Sequence, residues 1–323
     1  MPSQVENGKA FEYSIAYCYY TYLKANVLKH VEIQEDVFLN NAKACYNIQP
    51  EENKLEFDSA ANKTIETLIA IEPGLSVERS GDDVLKIRIA ADSEGHWGDV
   101  RDIIMWRPNV SPIWEIGISA KNNHDAVKQS RISPTIDFGK EWMGAQCSKT
   151  YFSEINKVFD WISKMRQVTH NLKWSDLGNE KQSQVYKPLL DAFRKEMLRL
   201  TTENPELSAR LLCYLIGQKA FYKIIKEDKN NLVVVKAFNI DGKLNKTING
   251  HKPIAKTDAI KMPSRVIELE YKKDSDNTLI MVLDEGWQIS FRIHSASTFV
   301  ENSLKFDIQL IGNPPILFTQ HLF

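Results

Sequence analysis

The clearest alternation of apolar and polar residues lies between residues 98 and 131 and predicts a strand hairpin. Residues 103–106 form an apolar run that Asp102 opens, residues 108–112 supply proline and asparagine for a turn, and residues 113–121 alternate. Because successive side chains alternate across a strand, the second strand has an apolar face and a polar face. The apolar face carries Ile116, Ile118 and Ala120, and the polar face carries Glu115, Gly117, Ser119 and Lys121.

The same patterns predict the elements along the rest of the chain. Apolar residues at helical spacing predict helices over residues 9–30, 35–48, 58–71, 150–166, 188–200 and 204–225. Alternation and turn signals predict strands over residues 84–90, 232–238, 265–271, 278–283, 287–294 and 304–311. We therefore expect an α/β fold, with a core and its flanking helices in residues 1–226 and a β-rich region in residues 227–323.

Composition narrows the class of protein. The 323 residues include 43% hydrophobic and 26% charged side chains, which is typical of a soluble globular protein. The four cysteines are widely separated, so neither a CxxC zinc site nor a disulfide scaffold is expected. No apolar run is long enough to span a bilayer and the N-terminus has no signal-peptide core, so we expect a cytoplasmic protein.

Charge is distributed unevenly along the chain, although the formal net charge is only −1. Residues 219–265 contain ten lysines, one arginine and four acidic residues, a net charge of +7, which leaves −8 for the remainder. A surface that binds a polyanion such as DNA requires this kind of segregation. A solvated, lysine-rich loop region is the alternative interpretation.

The two ends of the predicted hairpin carry candidate catalytic residues. Asp102 opens the first strand and Lys121 closes the second, and a lysine near a buried strand needs an anionic partner. An acid and a lysine at adjoining strand ends can hold Mg2+ and a water against a phosphodiester, with the lysine stabilising the developing charge. The alternative is a hairpin with a surface salt bridge.

Basic side chains follow this hairpin and recur near the C-terminus. His124, Lys128 and Arg131 have the spacing i, i+4 and i+7, which predicts one basic helix face suited to DNA phosphates or base edges. In the strand predicted over residues 287–294, Arg292 and His294 lie on the polar face, which is available to contact DNA. A solvated surface is the alternative for both.

The first predicted helix contains an acid that is a candidate for the same site. Glu12 lies beside the apolar stripe near the N-terminus of that helix, where the helix dipole favours a carboxylate. Helix capping is the structural interpretation of Glu12. The functional interpretation is an acid that helps to orient a metal ion.

Several stretches resemble the HaeIII-like type II restriction endonucleases, a branch of the PD-(D/E)xK nucleases. The central ones are GDVRDII, WEIGISAKNNHDAVKQSR and DFGKEW, and the N-terminal GKAFEYSIA and the C-terminal GWQISFRIHSAS and SLKFDIQLIGNPP extend the resemblance. The patches together span most of the chain. The resemblance implies a PD-(D/E)xK core, which is a mixed sheet flanked by helices.

One position departs from the motif of these nucleases. Ser119 stands two residues before Lys121, where the motif has an acid, so the second metal-binding carboxylate must come from elsewhere. Asp99 is close to Asp102 in the sequence, and Glu12 matches the first-helix glutamate that many of these nucleases carry. Glu115 shares the face of Lys121 but lies further back along the strand, so it joins the site only if the strand bends.

The resemblance implies a type II restriction endonuclease that makes Mg2+-dependent cuts in double-stranded DNA at GGCC or a related short palindrome. Asp102 is then the primary metal ligand and Lys121 acts on the water or the developing charge. A homodimer matched to a palindromic site and a companion DNA methyltransferase are also implied. The alternative is a catalytically inactive or modification-dependent DNA-binding protein on a nuclease fold, which the serine at position 119 leaves open.

Overall fold

The chain forms two compact units, each of which contains its own sheet. The computed structural model describes residues 2–78, 82–91, 93–94, 98–123, 125, 127–128, 130–228 and 231–323. The first unit comprises Met1–His124, Gly217–Ile260 and Ile316–Phe323, and the second comprises Asp125–Ile216 and Lys261–Pro315. This division differs from the single boundary after residue 226 suggested by the sequence, because segments from both halves of the chain build each unit.

The first unit is built on a mixed sheet, as the sequence predicts. Its strands, numbered along the whole chain, are β1 Val31–Ile33, β2 Leu85–Ile89, β3 Ile103–Arg107, β4 Trp114–Asn122, β6 Phe221–Glu227, β7 Leu232–Phe238 and β12 Thr319–Leu322. Within the described residues they follow the order β1-β2-β3-β4-β6-β7-β12. The β1–β2 and β4–β6 pairs are parallel and the other pairs are antiparallel.

Three helices of the first unit share a core with this sheet. They are α1 Gln4–Asn26, α2 Val37–Asn47 and α3 Glu51–Ile71. Helix α1 begins at a capping box in which Ser3 and Glu6 exchange hydrogen bonds, and Asp36 caps α2. The apolar face of β4, with Ile116, Ile118 and Ala120, belongs to the core formed with α1 and α3, which confirms the predicted alternation.

The second unit has an antiparallel sheet packed with helices. Its strands are β5 Ser130–Ile132, β8 Val266–Tyr271, β9 Thr278–Leu283, β10 Gln288–His294 and β11 Leu304–Gly312, in the order β5-β11-β10-β9-β8. Its helices are α4 Phe138–Met143, α5 Lys149–Val168, α6 Lys187–Glu203 and α7 Leu207–Ile216, with a π-helical segment at Lys181–Tyr186. Ring contacts among Trp142, Phe193, Phe291 and Phe306 connect the helices to the sheet.

Two predicted elements differ from the structure. The helix predicted over residues 204–225 ends at Ile216, and Phe221–Glu227 is instead the strand β6 between β4 and β7. The basic helix predicted around residues 124–131 is wrong at its C-terminal end, because Ser130–Ile132 is the strand β5, which pairs with β11. Residues 124, 126 and 129 lie outside the described residues. In the described part of the chain, no helix is long and apolar enough to cross a membrane.

Candidate active site

The carboxylate of Asp102 is held where the strands β3 and β4 adjoin. Asp102 directly precedes β3, and its backbone N–H donates to the carbonyl of Ile118 at 2.8 Å. Its Oδ2 accepts hydrogen bonds from the backbone N–H of Ala120 at 2.7 Å, the Ser119 hydroxyl at 3.1 Å and Lys121 Nζ at 3.2 Å. Three donors from consecutive residues of β4 therefore fix one carboxylate oxygen. No hydrogen bond reaches Oδ1 from the described residues.

Asp102 and Lys121 form the ion pair that the sequence predicts, and it is open to solvent on one side. The exposed fraction of the side chain is 22% for Asp102 and 25% for Lys121. Ser119 is only 2% exposed, so its hydroxyl donates to the Asp102 carboxylate from the buried side. A ligand can therefore reach the carboxylate and the ammonium group, while the serine stays covered.

Glu12 lies on α1, within electrostatic range of this pair. It is 7% exposed, and Lys9 Nζ donates to its Oε2 at 3.0 Å. Burial raises the pKa of Glu12 to about 7, and the negative charge of Asp102 adds to the effect, whereas Lys9 and Lys121 act against it. The negative charges of Glu12 and Asp102 repel each other, and a bound cation would relieve this repulsion, so the two carboxylates are suited to share one.

Asp99 and Glu115, the other two candidate carboxylates, lie in a different cluster around Arg101. Arg101 donates to both oxygens of Asp99 at 2.7 Å and to Glu115 Oε1 at 2.7 Å. Lys219 Nζ lies 3.1 Å from Asp99 Oδ2. Burial alone would raise the pKa of Asp99, but Arg101 and Lys219 outweigh burial and hold it below its usual value. The structure therefore does not bring these two acids together with Asp102.

The predicted DNA-contacting residues lie in the second unit, except His124, which is outside the described residues. Lys128 Nζ lies 4.2 Å from the centre of the Tyr214 ring, and burial lowers the pKa of Lys128. Arg131 is exposed on β5, where its Nη1 donates to the Ser303 hydroxyl at 3.1 Å. Arg292 donates to Asp307 at 2.9 Å, and His294 Nδ1 lies 2.9 Å from the Ser295 carbonyl.

Two lysines near the candidate site were not identified from the sequence. Lys9 pairs with Glu12, and their i, i+3 spacing on a helix was a usable signal. Lys223 is 3% exposed and is paired in register with Ser119, so its side chain leaves the sheet on the same face. No local signal identifies Lys223, because its neighbour in space is about a hundred residues away in the sequence.

The donor set suits a hard cation with few protein ligands. In the part of the chain that the structure describes, no group of three or more histidine, cysteine, aspartate or glutamate side chains is arranged to hold a metal. Mg2+ needs only one or two carboxylates, because it retains water and takes phosphate oxygens. Asp102, with Glu12 in electrostatic range, meets that requirement. The fold and site define an α/β protein whose mixed sheet carries a carboxylate–lysine centre.

Comparisons with known proteins agree with this class. The family model for the HaeIII restriction endonuclease matches residues 8–314. Type II restriction enzyme HaeIII from Haemophilus aegyptius is 35% identical over 310 residues, which cover 96% of this chain and 94% of the relative. No solved structure matches the chain significantly. The chain therefore belongs to the HaeIII restriction endonuclease family and is a HaeIII-like type II restriction endonuclease.

Proposed function

We propose that this restriction endonuclease makes Mg2+-dependent double-strand cuts in DNA through a PD-(D/E)xK-type centre formed by Asp102, Lys121 and Glu12. The observation that carries the proposal is the Asp102 carboxylate, fixed through Oδ2 by three donors of β4 next to a partly exposed lysine. Since no described residue donates a hydrogen bond to Oδ1, this second oxygen is available as a metal ligand. Glu12 supplies the second carboxylate, which Ser119 does not provide.

Each side chain has a distinct task in this proposal. A bound Mg2+ would neutralise charge on the scissile phosphate and lower the pKa of a coordinated water. Lys121 donates hydrogen bonds from its ammonium group, which orients the attacking water or stabilises the negative charge that develops on the phosphate. Ser119 keeps the Asp102 carboxylate in place through its hydroxyl. Asp99 and Glu115 are assigned no ligand role, since Arg101 occupies both.

The substrate is double-stranded DNA with a short palindromic site, and the resemblance points to GGCC. Recognition of a palindrome is simplest for a homodimer whose two-fold axis matches that of the site. The candidates for DNA contacts are His124, Lys128 and Arg131, together with Arg292 and His294 on the polar face of β10. Such an enzyme would act in the cytoplasm and would need a cognate DNA methyltransferase to protect the genome of its host.

The test is a digest of a fully sequenced plasmid with Mg2+ and with EDTA, with the fragment ends read by sequencing. We expect discrete ends at one short palindrome, only with Mg2+, and no cutting by Asp102→Asn or Lys121→Ala. Lys24→Ala, which removes a lysine near the far end of α1, is the matched control and should cut normally. Cutting by Asp102→Asn at the wild-type rate would refute the assigned centre. Intact DNA in both reactions, with a gel shift that persists in EDTA, would indicate a DNA-binding protein without nuclease activity.

A further inference from the structure

Arg101 directly precedes Asp102, and its side chain lies across the neighbouring strand β4. It is 4% exposed, and its guanidinium group makes two hydrogen bonds to Asp99 and one to Glu115 on β4. A two-point pairing between a planar guanidinium group and a carboxylate is both strong and directional. The arginine therefore has a fixed orientation, set by one acid on its own segment and one acid on β4.

Gly117 provides the space in which the Arg101 side chain lies. A Cβ atom at position 117 would be 2.0 Å from Cδ of Arg101 and 2.5 Å from its Cγ. Any larger residue at 117 would therefore displace the arginine from the surface of β4. The glycine is explained by this close approach and not by its backbone conformation, because Gly117 is absent from the residues with positive φ.

The same two chain segments are joined again at the candidate metal centre. The N–H of Asp102 donates to the carbonyl of Ile118, the residue after Gly117, and the Asp102 carboxylate accepts from Ser119, Ala120 and Lys121. Arg101 and Asp102 thus hold successive parts of β4, the arginine at residues 115–117 and the aspartate at residues 118–121. A shift of Arg101 would move the backbone that carries Asp102.

We propose that Arg101, seated on Gly117 and anchored by Asp99 and Glu115, is a positioning residue for Asp102. These contacts of Arg101, which we call the clamp, fix the segment that precedes β3 against β4. They hold Oδ1 of Asp102 in the position in which it would bind the metal. This inference rests on the proposed function of Asp102 as a metal ligand. It also gives Asp99 and Glu115 a role, which is to anchor the arginine.

The experiment compares the wild type with Arg101→Ala, Gly117→Ala, Arg101→Gly and the double variant Arg101→Gly/Gly117→Ala. Mn2+ binding to each protein without DNA is followed by the electron paramagnetic resonance signal of free Mn2+, and the Mn2+ concentration for half-maximal cutting is measured separately. Outer residues that orient a metal ligand typically contribute about 10- to 100-fold to metal affinity, so each single variant should bind Mn2+ at least about ten-fold more weakly. Arg101→Lys, which restores one charge but not the two-point pairing, should recover part of the loss.

The double variant tests whether the two residues act as one device. A Cβ atom at position 117 would also lie 2.8 Å from the Cβ of Arg101, so only Arg101→Gly empties the whole space. Gly117→Ala should therefore add little in the Arg101→Gly background. Losses of Mn2+ affinity that multiply in the double variant would contradict the clamp. Lys219 Nζ also lies 3.1 Å from Asp99 Oδ2, so the cluster keeps one cation when Arg101 is replaced and the variant should still fold.

Arg107→Ala is the matched control for the loss of a buried arginine. Arg107 is 2% exposed, pairs with Asp83, and lies at the opposite end of β3 from Asp102. It should lower the melting temperature and leave Mn2+ affinity unchanged. If Arg101→Ala and Gly117→Ala bind Mn2+ like the wild type while Asp102→Asn does not, the clamp is refuted and the proposed centre stands. If Asp102→Asn also binds like the wild type, the proposed centre itself is refuted.

Discussion

At the scale of single residues, Ser119 occupies the position of an acid but contributes a hydrogen bond. Its hydroxyl is one of three donors to Asp102 Oδ2, together with the Ala120 N–H and Lys121. Ser119→Ala removes one donor to a charged acceptor, worth about 1.5–3 kcal/mol, so we expect cutting slower by roughly 10- to 100-fold. The rate at saturating Mg2+ measures this. A loss as complete as that of Asp102→Asn would show that the hydroxyl does more than hold the carboxylate.

Glu12 offers a second test, in which activity and stability change in different directions. Glu12→Gln keeps the shape of the side chain but removes a charge that is buried beside Asp102. We expect the Mg2+ concentration for half-maximal cutting to rise at least about ten-fold, since a ligand is lost. The melting temperature without metal should not fall, because the desolvation cost of the carboxylate disappears.

Glu6→Gln is the control for the Glu12 variant on the same helix. Glu6 is half-buried, and its carboxylate accepts a hydrogen bond from the backbone N–H of Ser3 in the capping box of α1. Its substitution should lower the melting temperature slightly and leave the Mg2+ dependence unchanged. A Glu12→Gln enzyme with wild-type Mg2+ dependence would exclude Glu12 as the second carboxylate.

The sequence identified the Asp102–Lys121 pair, but it did not show which other acids belong to the same site. Asp102 and Lys121 were predictable as a pair, because a short hairpin places the start of one strand beside the end of the next. Asp99 and Glu115 were also candidates for the second carboxylate from the sequence. Only the position of the Arg101 side chain, made possible by Gly117, separates them from Asp102. That is a tertiary contact with no pattern of its own.

At the scale of elements, the strand β6 shows where periodicity fails. Phe221–Glu227 lies between β4 and β7, and all but its last residue are buried. Its two lysines, Lys223 and Lys226, stand three residues apart, which matches the spacing of a helix and not the alternation of a strand, so the pattern favoured a continued helix. The predicted helix around residues 124–131 failed for a related reason, since β5 exists through its pairing with the distant β11.

The junction between α3 and β6 has a pH-dependent stability. Glu72, at the C-terminal end of α3, is fully buried and accepts from the Tyr222 hydroxyl and the Asn245 N–H, each at 2.8 Å. Burial raises the pKa of Glu72 from 4.5 to about 7, against the effect of these hydrogen bonds. The folded state therefore holds the proton more tightly than the unfolded state. The stability contributed by the protonated Glu72 carboxyl is complete below pH 4.5 and is lost as the pH rises through 7.

Glu72→Gln should remove this dependence, because the amide cannot ionise. At pH 8 the variant should unfold at a higher temperature than the wild type. The corresponding gain in unfolding free energy is up to about 3 kcal/mol, at 1.36 kcal/mol per pKa unit. The difference should close near pH 4.5. Melting curves of both proteins from pH 4.5 to pH 8 without metal measure the difference, with Glu52→Gln at an exposed position as the control. A difference that does not vary with pH would contradict the shift.

At the scale of the whole molecule, the lysine-rich segment is less positive locally than its count suggests. Lys226 pairs with Glu56 and Asp228, Lys219 with Asp99, and Lys243 with Asp241. Asp228 and Asp241 are already counted in the net charge of +7, but Glu56 and Asp99 lie outside residues 219–265 and lower the local charge further. The composition therefore predicted segregated charge along the chain, but the strength of a DNA-binding surface depends on pairings that only the fold reveals.

The proposed homodimer makes a prediction about how the two DNA strands are cut. If each subunit of a symmetric dimer cuts one strand, a heterodimer of one wild-type subunit and one Asp102→Asn subunit has a single working centre. Heterodimers are formed by co-expressing or co-refolding the two proteins. These mixtures should produce nicked plasmid circles in proportion to the amount of heterodimer. The excess of nicked over linear product on an agarose gel measures this. Linear product that falls only with the wild-type fraction, without nicked circles, would mean that one chain cuts both strands in turn.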